Sequence, residues 1–258
     1  DRALYFGDGI YEATCVANRV PFALDDHLDR MYNSLRLLEI PFTMERDQVK
    51  AELQKVIDAA EDSPIHFLYW QISRGVAMRN HPFPANTEPT LLIYVKPHTM
   101  KSMDKPYKLI SMEDIRFKLC NIKTLNLIPS VLANQRAVEQ GCDEAVLHRG
   151  SRVTECAHSN VSIIKDGVFK THPTDHYILP GITRMHIIQI CKDNGIIVDE
   201  TPFTMAELMD ADEIIVSSST KFCSPVCEMN GTPIGGKAPE LVDLIQKKYT
   251  EKFENETM

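Results

Sequence analysis

Basic residues are in the minority here: 28 lysines and arginines face 36 aspartates and glutamates over 258 residues, a formal net charge of −8. Nucleic acid and anionic membrane surfaces both demand a basic footprint, so neither is expected as a partner. An anionic ligand would have to be held by a local cluster of donors. No apolar run approaches the ~20 residues of a membrane-spanning helix. Paired cysteines are missing as well. The seven thiols are scattered and odd in number, which argues against a disulfide framework and for reduced thiols in a cytoplasmic protein. Cys223 and Cys227 lie four apart with no histidine or second cysteine pair beside them, so no metal is expected. Internal repeats and low-complexity tracts are absent. Asn160, Asn230 and Asn255 each open a glycosylation sequon, a pattern short enough to arise by chance. The sequence opens at Asp1 without a methionine and runs straight into Tyr5-Phe6-Gly7-Asp8-Gly9. The expectation is that a leading segment is missing, and a removed leader peptide stays open.

What remains is an ordinary globular composition, 43% apolar and 25% charged, on a chain long enough for one large or two smaller domains. Residues 10–17 read as a strand after a Gly7-Asp8-Gly9 turn. Asp25 and Asp26 are N-cap candidates for a helix over 27–38, with Leu28, Met31, Leu35 and Leu38 on one face. A second helix is expected over about 45–60, and strands over 65–73 and 90–95. Between those strands, residues 74–84 hold two arginines, a histidine and two prolines, a loop of the kind that carries binding groups. Residues 96–106 are the expected linker, dividing an N-terminal domain (1–98) from a C-terminal one (99–258). Beyond it come a strand over 107–112, then a helix with Leu127, Val131, Leu132 and Val138 apolar at helical spacing, closed by Gly141. Strands over 144–147 and 153–155, a hairpin about Asp166-Gly167, a helix from about 182 to Gly195, a strand over 214–216, a hairpin about Asn230-Gly231 and a terminal helix over about 239–254 complete the reading. Strands and helices mix without a steady βαβ rhythm, so the class is α/β or α+β in two domains.

The stretch from Asn121 to Asn160 organises the chemistry. Lys123 stands just ahead of a helix and Glu155 ends a strand, an arrangement able to bring an amine and a carboxylate into one cleft. By itself such a lysine is usually a solvated surface residue. Two further places look built for an anion. Gly181 lets the backbone approach a ligand, and the amides of Ile182 and Thr183 lie at a free helix N-terminus. Ser217-Ser218-Ser219-Thr220 gives a run of hydroxyls after a buried strand. Each also has a plain reading, as a helix start or a polar loop, and Arg30 could form only a surface ion pair. Taken together they match the needs of pyridoxal 5′-phosphate: Lys123 for the Schiff base, Glu155 for the pyridine nitrogen, and Arg30, Ile182, Thr183, Ser218 and Ser219 for the phosphate.

On these residues the chain resembles the fold-type IV pyridoxal-phosphate aminotransferases, most of all the bacterial D-amino acid aminotransferases. The matching stretches are Phe6-Gly7-Asp8-Gly9-Ile10-Tyr11-Glu12, His27-Leu28-Asp29-Arg30, Ser73-Arg74-Gly75 with Arg79-Asn80-His81, Ile122-Lys123-Thr124-Leu125-Asn126, Val153-Thr154-Glu155, Ser159-Asn160-Val161 and Gly181-Ile182-Thr183-Arg184. They stand in family order over nearly the whole chain. The resemblance implies a smaller N-terminal α/β domain and a larger C-terminal domain with a barrel-like core. It implies Lys123 and Glu155 in catalysis, the phosphate group named above, and Leu179 against the cofactor ring. It implies Tyr11, Arg79 and His81 on the substrate α-carboxylate, the last two reaching in from a partner subunit, and hence a homodimer. The sequence departs from the family at Cys156-Ala157-His158, where close relatives carry small or hydroxyl residues; His158 would crowd the ring or add a contact.

The expected activity is transamination of a D-amino acid, D-alanine or D-glutamate, with a 2-oxo acid such as 2-oxoglutarate or pyruvate. Two alternatives share the fold: a branched-chain L-amino acid aminotransferase and an aminodeoxychorismate lyase. A third is a non-catalytic relative that binds the cofactor. Arg79 and His81, two residues apart, favour the first reading, and the intact pair Lys123 and Glu155 disfavours the last.

Overall fold

Alternating burial along the strands builds the first of two units, which comprises Asp1–Met100, Ile122–Leu127 and Glu254–Met258. The computed structural model describes residues 1–100 and 102–258, so Lys101, within the expected linker, lies outside the described residues. The chain opens with α1 (Arg2–Phe6), capped by Asp1 and ended by Gly7 at φ +62°; a single turn is too short to leave a periodic signal. Next come β1 (Gly9–Ala17), β2 (Val20–Pro21), α2 (Leu24–Leu37), α3 (Arg46–Asp58), β3 (Ile65–Ser73) and β4 (Thr90–Pro97). The strands form an antiparallel sheet in the order β2-β1-β3-β4. Leu68, Trp70 and Ile72 of β3 turn to one face and bury with Leu28, Met31 and Leu35 of α2 and Val49, Leu53 and Ile57 of α3.

The start of α2 corrects the sequence reading. The helix begins at Leu24 after Ala23 at φ +52°, with no side-chain cap, and Asp25 and Asp26 fall inside its first turn. There their charge complements the helix dipole. Asp25 is drawn away from capping by α3, whose Lys50 reaches it at 2.6 Å.

The second unit comprises Lys101–Asn121 and Ile128–Phe253. Its elements are β5 (Tyr107–Glu113), α4 (Ile128–Glu139), β6 (Glu144–Arg149), β7 (Arg152–Cys156), β8 (Asn160–Lys165), β9 (Val168–Thr171), α5 (Ile182–Asp193), β10 (Ile197–Asp199), α6 (Met205–Met209), β11 (Glu213–Ser218), β12 (Phe222–Met229), β13 (Thr232–Pro233) and α7 (Pro239–Glu256). The sheet path runs β10-β9-β8-β11-β12-β5-β6-β7, with β13 on β12. Only three residues separate β7 from β8, and Cys156 N donates to Ser159 O at 2.8 Å. The last strand of the path is thus brought back beside the third, and the sheet curls into an open half-barrel. Val146, Val153, Val161, Ile163, Ile214, Val216 and Val226 fill it. The fold is mixed α/β.

The expected apolar face of α4 is corrected too. Val131, Leu132 and Val138 are exposed, as is Leu127 ahead of the helix. The buried residues are Ala133 and Ala137, packed with Ile110, Ala145 and Leu147. Small side chains let the helix lie close on the sheet, and proximity outweighs side-chain size. Among the described residues no helix is long and apolar enough to cross a membrane.

Candidate active site

In the first unit the lysine segment completes a strand edge. β2 pairs only with Val16 and Ala17, which leaves the opening residues of β1 free on that side. Residues 122–127 take the place: Tyr11 N donates to Lys123 O at 3.0 Å and Leu125 N to Gly9 O at 3.0 Å. Asn126 Nδ2 donates to Gly7 O at 2.9 Å. The contact is so close that a Cβ on Gly9 would stand 2.7 Å from Ile72 O and 2.9 Å from Leu125 Cδ1. The two glycines of the first motif are therefore the seat of the fourth. Lys123 Nζ sits 4.3 Å from the centroid of the Tyr11 ring, and Tyr11 stacks on Tyr69 at 5.7 Å. Among the described residues of this unit, no carboxylate is paired with that amine.

Arg30 is buried in α2, not on the surface. Its Nε and Nη2 close on Glu12 Oε1 and Oε2 at 2.8 and 2.7 Å, and His27 Nδ1 lies 2.7 Å from Oε2. Burial would raise the Glu12 carboxyl, but Arg30 and His27 hold it at about 2. Arg79 and His81 stand exposed in the loop after β3, both against the Phe6 ring at 5.3 Å.

In the second unit Glu155, at the end of β7, is 5% exposed. Asn160 Nδ2 and Leu179 N donate to its Oε2 at 2.9 and 3.0 Å, and Arg116 Nη1 donates to Oε1. Burial raises its carboxyl to about 6, against the pull of Arg116. Gly181 precedes α5 with no side-chain cap on that helix. A Cβ at Gly181 would fall 2.0 Å from Asn160 Oδ1, so only glycine brings the helix N-terminus this near Glu155's own partner. The Ile182 and Thr183 amides open that helix, and the Thr183 hydroxyl accepts from Tyr249 at 3.1 Å. At the end of β11 the Ser218 hydroxyl is buried and has no partner among the described residues. A buried, unsatisfied hydroxyl is costly, and an oxygen-rich anion would satisfy it. Ser219 follows, half-buried.

His158 is spent on a different group. Its ring Nδ1 and its backbone N–H lie 2.5 and 2.8 Å from Glu144 Oε1, while Ser159 Oγ and Lys221 Nζ reach Oε2 at 2.7 and 3.3 Å. Sequence reasoning missed Glu144, Arg116 and the Glu12–His27 pair. Glu12 and Asn160 sat inside quoted motifs without a role. Arg116 had no signal beyond alternation with Asp114 after a strand.

The amino-transferase class IV family model matches residues 9–229. The D-alanine aminotransferase of Listeria monocytogenes serotype 4b (strain F2365) is 38% identical over 259 residues, covering 98% of this chain and 89% of the relative. That of Staphylococcus aureus (strain N315) is 38% identical over 267 residues, covering 100% and 93%. In fold, the chain is similar to a T.th. branched-chain amino acid aminotransferase complexed with N-(5′-phosphopyridoxyl)-L-glutamate. The TM-score is 0.85 at 24% identity, over 97% of this chain and 87% of that one.

Proposed function

The chain belongs to the amino-transferase class IV family, and on that footing we propose that it moves the amino group of D-alanine or D-glutamate to a 2-oxo acid such as 2-oxoglutarate or pyruvate, with pyridoxal 5′-phosphate as cofactor. Fold-type IV aminotransferases use that cofactor. The observation that carries the reading is Lys123: a half-buried amine with no carboxylate partner among the described residues of its unit, fixed by backbone pairing to β1 beside Tyr11. An amine tied in an ion pair would be a poor nucleophile; this one is available.

The cofactor would be held by Lys123, by Glu155 at its ring nitrogen, by Leu179 against the ring, and by Arg30, Ile182, Thr183, Ser218 and Ser219 at its phosphate. The orphaned Ser218 hydroxyl and the uncapped α5 suit that anion. When bound, the cofactor supplies an electron sink that weakens the substrate Cα–H bond. Lys123 Nζ serves as the base that takes the Cα proton. Glu155, as a carboxylate, favours a proton on the ring nitrogen. Tyr11, Arg79 and His81 grip the substrate α-carboxylate, an arginine through paired hydrogen bonds. Whichever side holds that carboxylate decides which enantiomer presents its hydrogen to Lys123, hence the D-specificity. Exposure of Arg79 and His81 suits residues that serve a second subunit, so the working unit is a homodimer, placed in the cytoplasm.

Lys123→Ala is expected to abolish both transamination and the visible absorption of the cofactor-loaded protein; a variant with normal turnover would sink the assignment. Offering D-alanine, L-alanine and L-leucine with 2-oxoglutarate to the wild type tests the stereochemistry. Turnover of L-leucine without D-alanine would overturn the D-specific reading in favour of a branched-chain enzyme.

A further inference from the structure

The loop that carries Arg79 and His81 has no regular secondary structure, yet one residue far from it in sequence holds it at stem and tip. Arg2, in α1, donates its backbone N–H to Gly75 O at 2.9 Å. Its guanidinium Nη1 donates to Asn80 O at 2.6 Å. Longer contacts run from Nη1 to Pro82 O at 3.5 Å and from Nη2 to His81 O at 3.4 Å. Three successive carbonyls about His81 therefore face one planar fork. The Arg2 Nε is taken by Asp8 Oδ2 at 2.7 Å.

Asp8 is shared. Arg74 Nε reaches the same oxygen at 2.9 Å, and its other nitrogens donate to Leu38 O and Glu39 O, both at 2.7 Å. The Arg74 guanidinium also lies 3.6 Å from the Phe83 ring centroid. Phe6, at the end of α1, backs both the Arg79 guanidinium and the His81 ring. Arg2 is 3% exposed and Arg74 4%. Two buried guanidinium groups about one carboxylate are an expensive way to fix a loop that water could solvate. A fork that meets consecutive carbonyls also sets the rotation of the peptides on either side of His81.

We propose that Arg2 is a positioning residue for substrate binding: held by Asp8, it presets the 80–82 backbone so that Arg79 and His81 meet the substrate α-carboxylate as one unit. This rests on the reading of Arg79 and His81 as the carboxylate grip. Without Arg2 that loop must be ordered at each binding event, a cost that falls on substrate affinity.

The test is a double-mutant cycle on the cofactor-loaded enzyme, with D-alanine varied against saturating 2-oxoglutarate. Arg2→Ala is expected to raise KM for D-alanine about tenfold or more, with kcat changed about threefold or less and cofactor absorption unaltered. A merely structural role would lower the melting temperature and cofactor content without splitting KM from kcat. Arg79→Ala should raise KM more, and adding Arg2→Ala to it should add little, because Arg2 acts through that loop. Independent, multiplying effects of the two substitutions would overturn the proposal. If Arg79→Ala itself leaves KM unchanged, the carboxylate-grip reading fails instead. Should Arg2→Ala not fold, Arg2→Lys keeps the charge on Asp8 and loses the fork. It is expected to show the same KM increase in smaller measure, and wild-type KM in that variant would overturn the proposal.

Discussion

Two glutamates, one in each unit, are buried against an arginine, and their carboxyls are driven in opposite directions. Burial opposes ionisation in both. Glu12 is nonetheless held at about 2, whereas Glu155 stands at about 6. The difference lies in how each arginine is shared. Arg30 gives two nitrogens to Glu12, and His27 adds another contact. Arg116 commits Nε and Nη2 to Asp114 at 2.9 Å each, leaving Glu155 the single Nη1. Asp114 also sets a like charge near Glu155. A saturated carboxylate has no attraction left to offer and can only hold the fold together. An under-compensated one has attraction left for another cation, which is what a protonated ring nitrogen is.

The largest expected effect separates the two by stability. Glu12→Gln should leave Arg30 buried without its counter-charge and cost about 3–5 kcal/mol, read as a lower urea midpoint at unchanged slope. Glu155→Gln leaves Arg116 paired with Asp114, so it should cost much less, while slowing single-turnover amino transfer about a hundredfold. Equal stability losses would break the comparison.

Next comes pH. Glu12 lies below the ordinary 4.5, so its contribution is present above that value and lost as pH falls toward 2. Glu155 is raised, so folding favours its protonated form, and stability falls as pH rises from 4.5 through about 6. That displacement corresponds to about 2 kcal/mol. Burial lowers the pKa of His27 and His172, which pull stability the other way in this window, so the readout is the difference. The urea midpoint of cofactor-free wild type relative to Glu155→Gln should decline from pH 4.5 to about 6, and parallel curves would refute the assignment.

The smallest effect sharpens the contrast. Asp114→Asn removes both the like charge and the competitor for Arg116, so Glu155 should ionise more readily. The acid limb of the single-turnover rate should move down by about one pH unit or less. A shift upward would mean that Asp114 acts mainly by orienting Arg116.

Much of the fold was legible because its signals are local. Residues 65–73 are rich in aromatic and β-branched side chains and form a strand with those bounds. Asp166-Gly167 and Asn230-Gly231 mark hairpins that formed. What escaped depended on distance or brevity. Neither α6 nor β10 is long enough to show a period. Glu45 closes a capping box with Gln48 and starts α3 where expected, while Ala23 starts α2 in a left-handed conformation that no side chain announces. In α4 the larger apolar residues advertised a face that the alanines occupy. The site shows the same division. The motifs mark which residues matter, but not that Arg116 is divided between two carboxylates, nor that His158 turns to Glu144, because both follow from partners brought together by the sheet.

The seat of Lys123 on β1 joins residues about 110 positions apart, and this bears on the newborn chain. As the ribosome delivers the N-terminal half, the opening residues of β1 wait with one edge bare until the lysine segment emerges. Bare strand edges invite pairing with other chains. A product cut short before Ile122 would keep that edge permanently, so truncation should yield aggregates instead of a smaller folded domain.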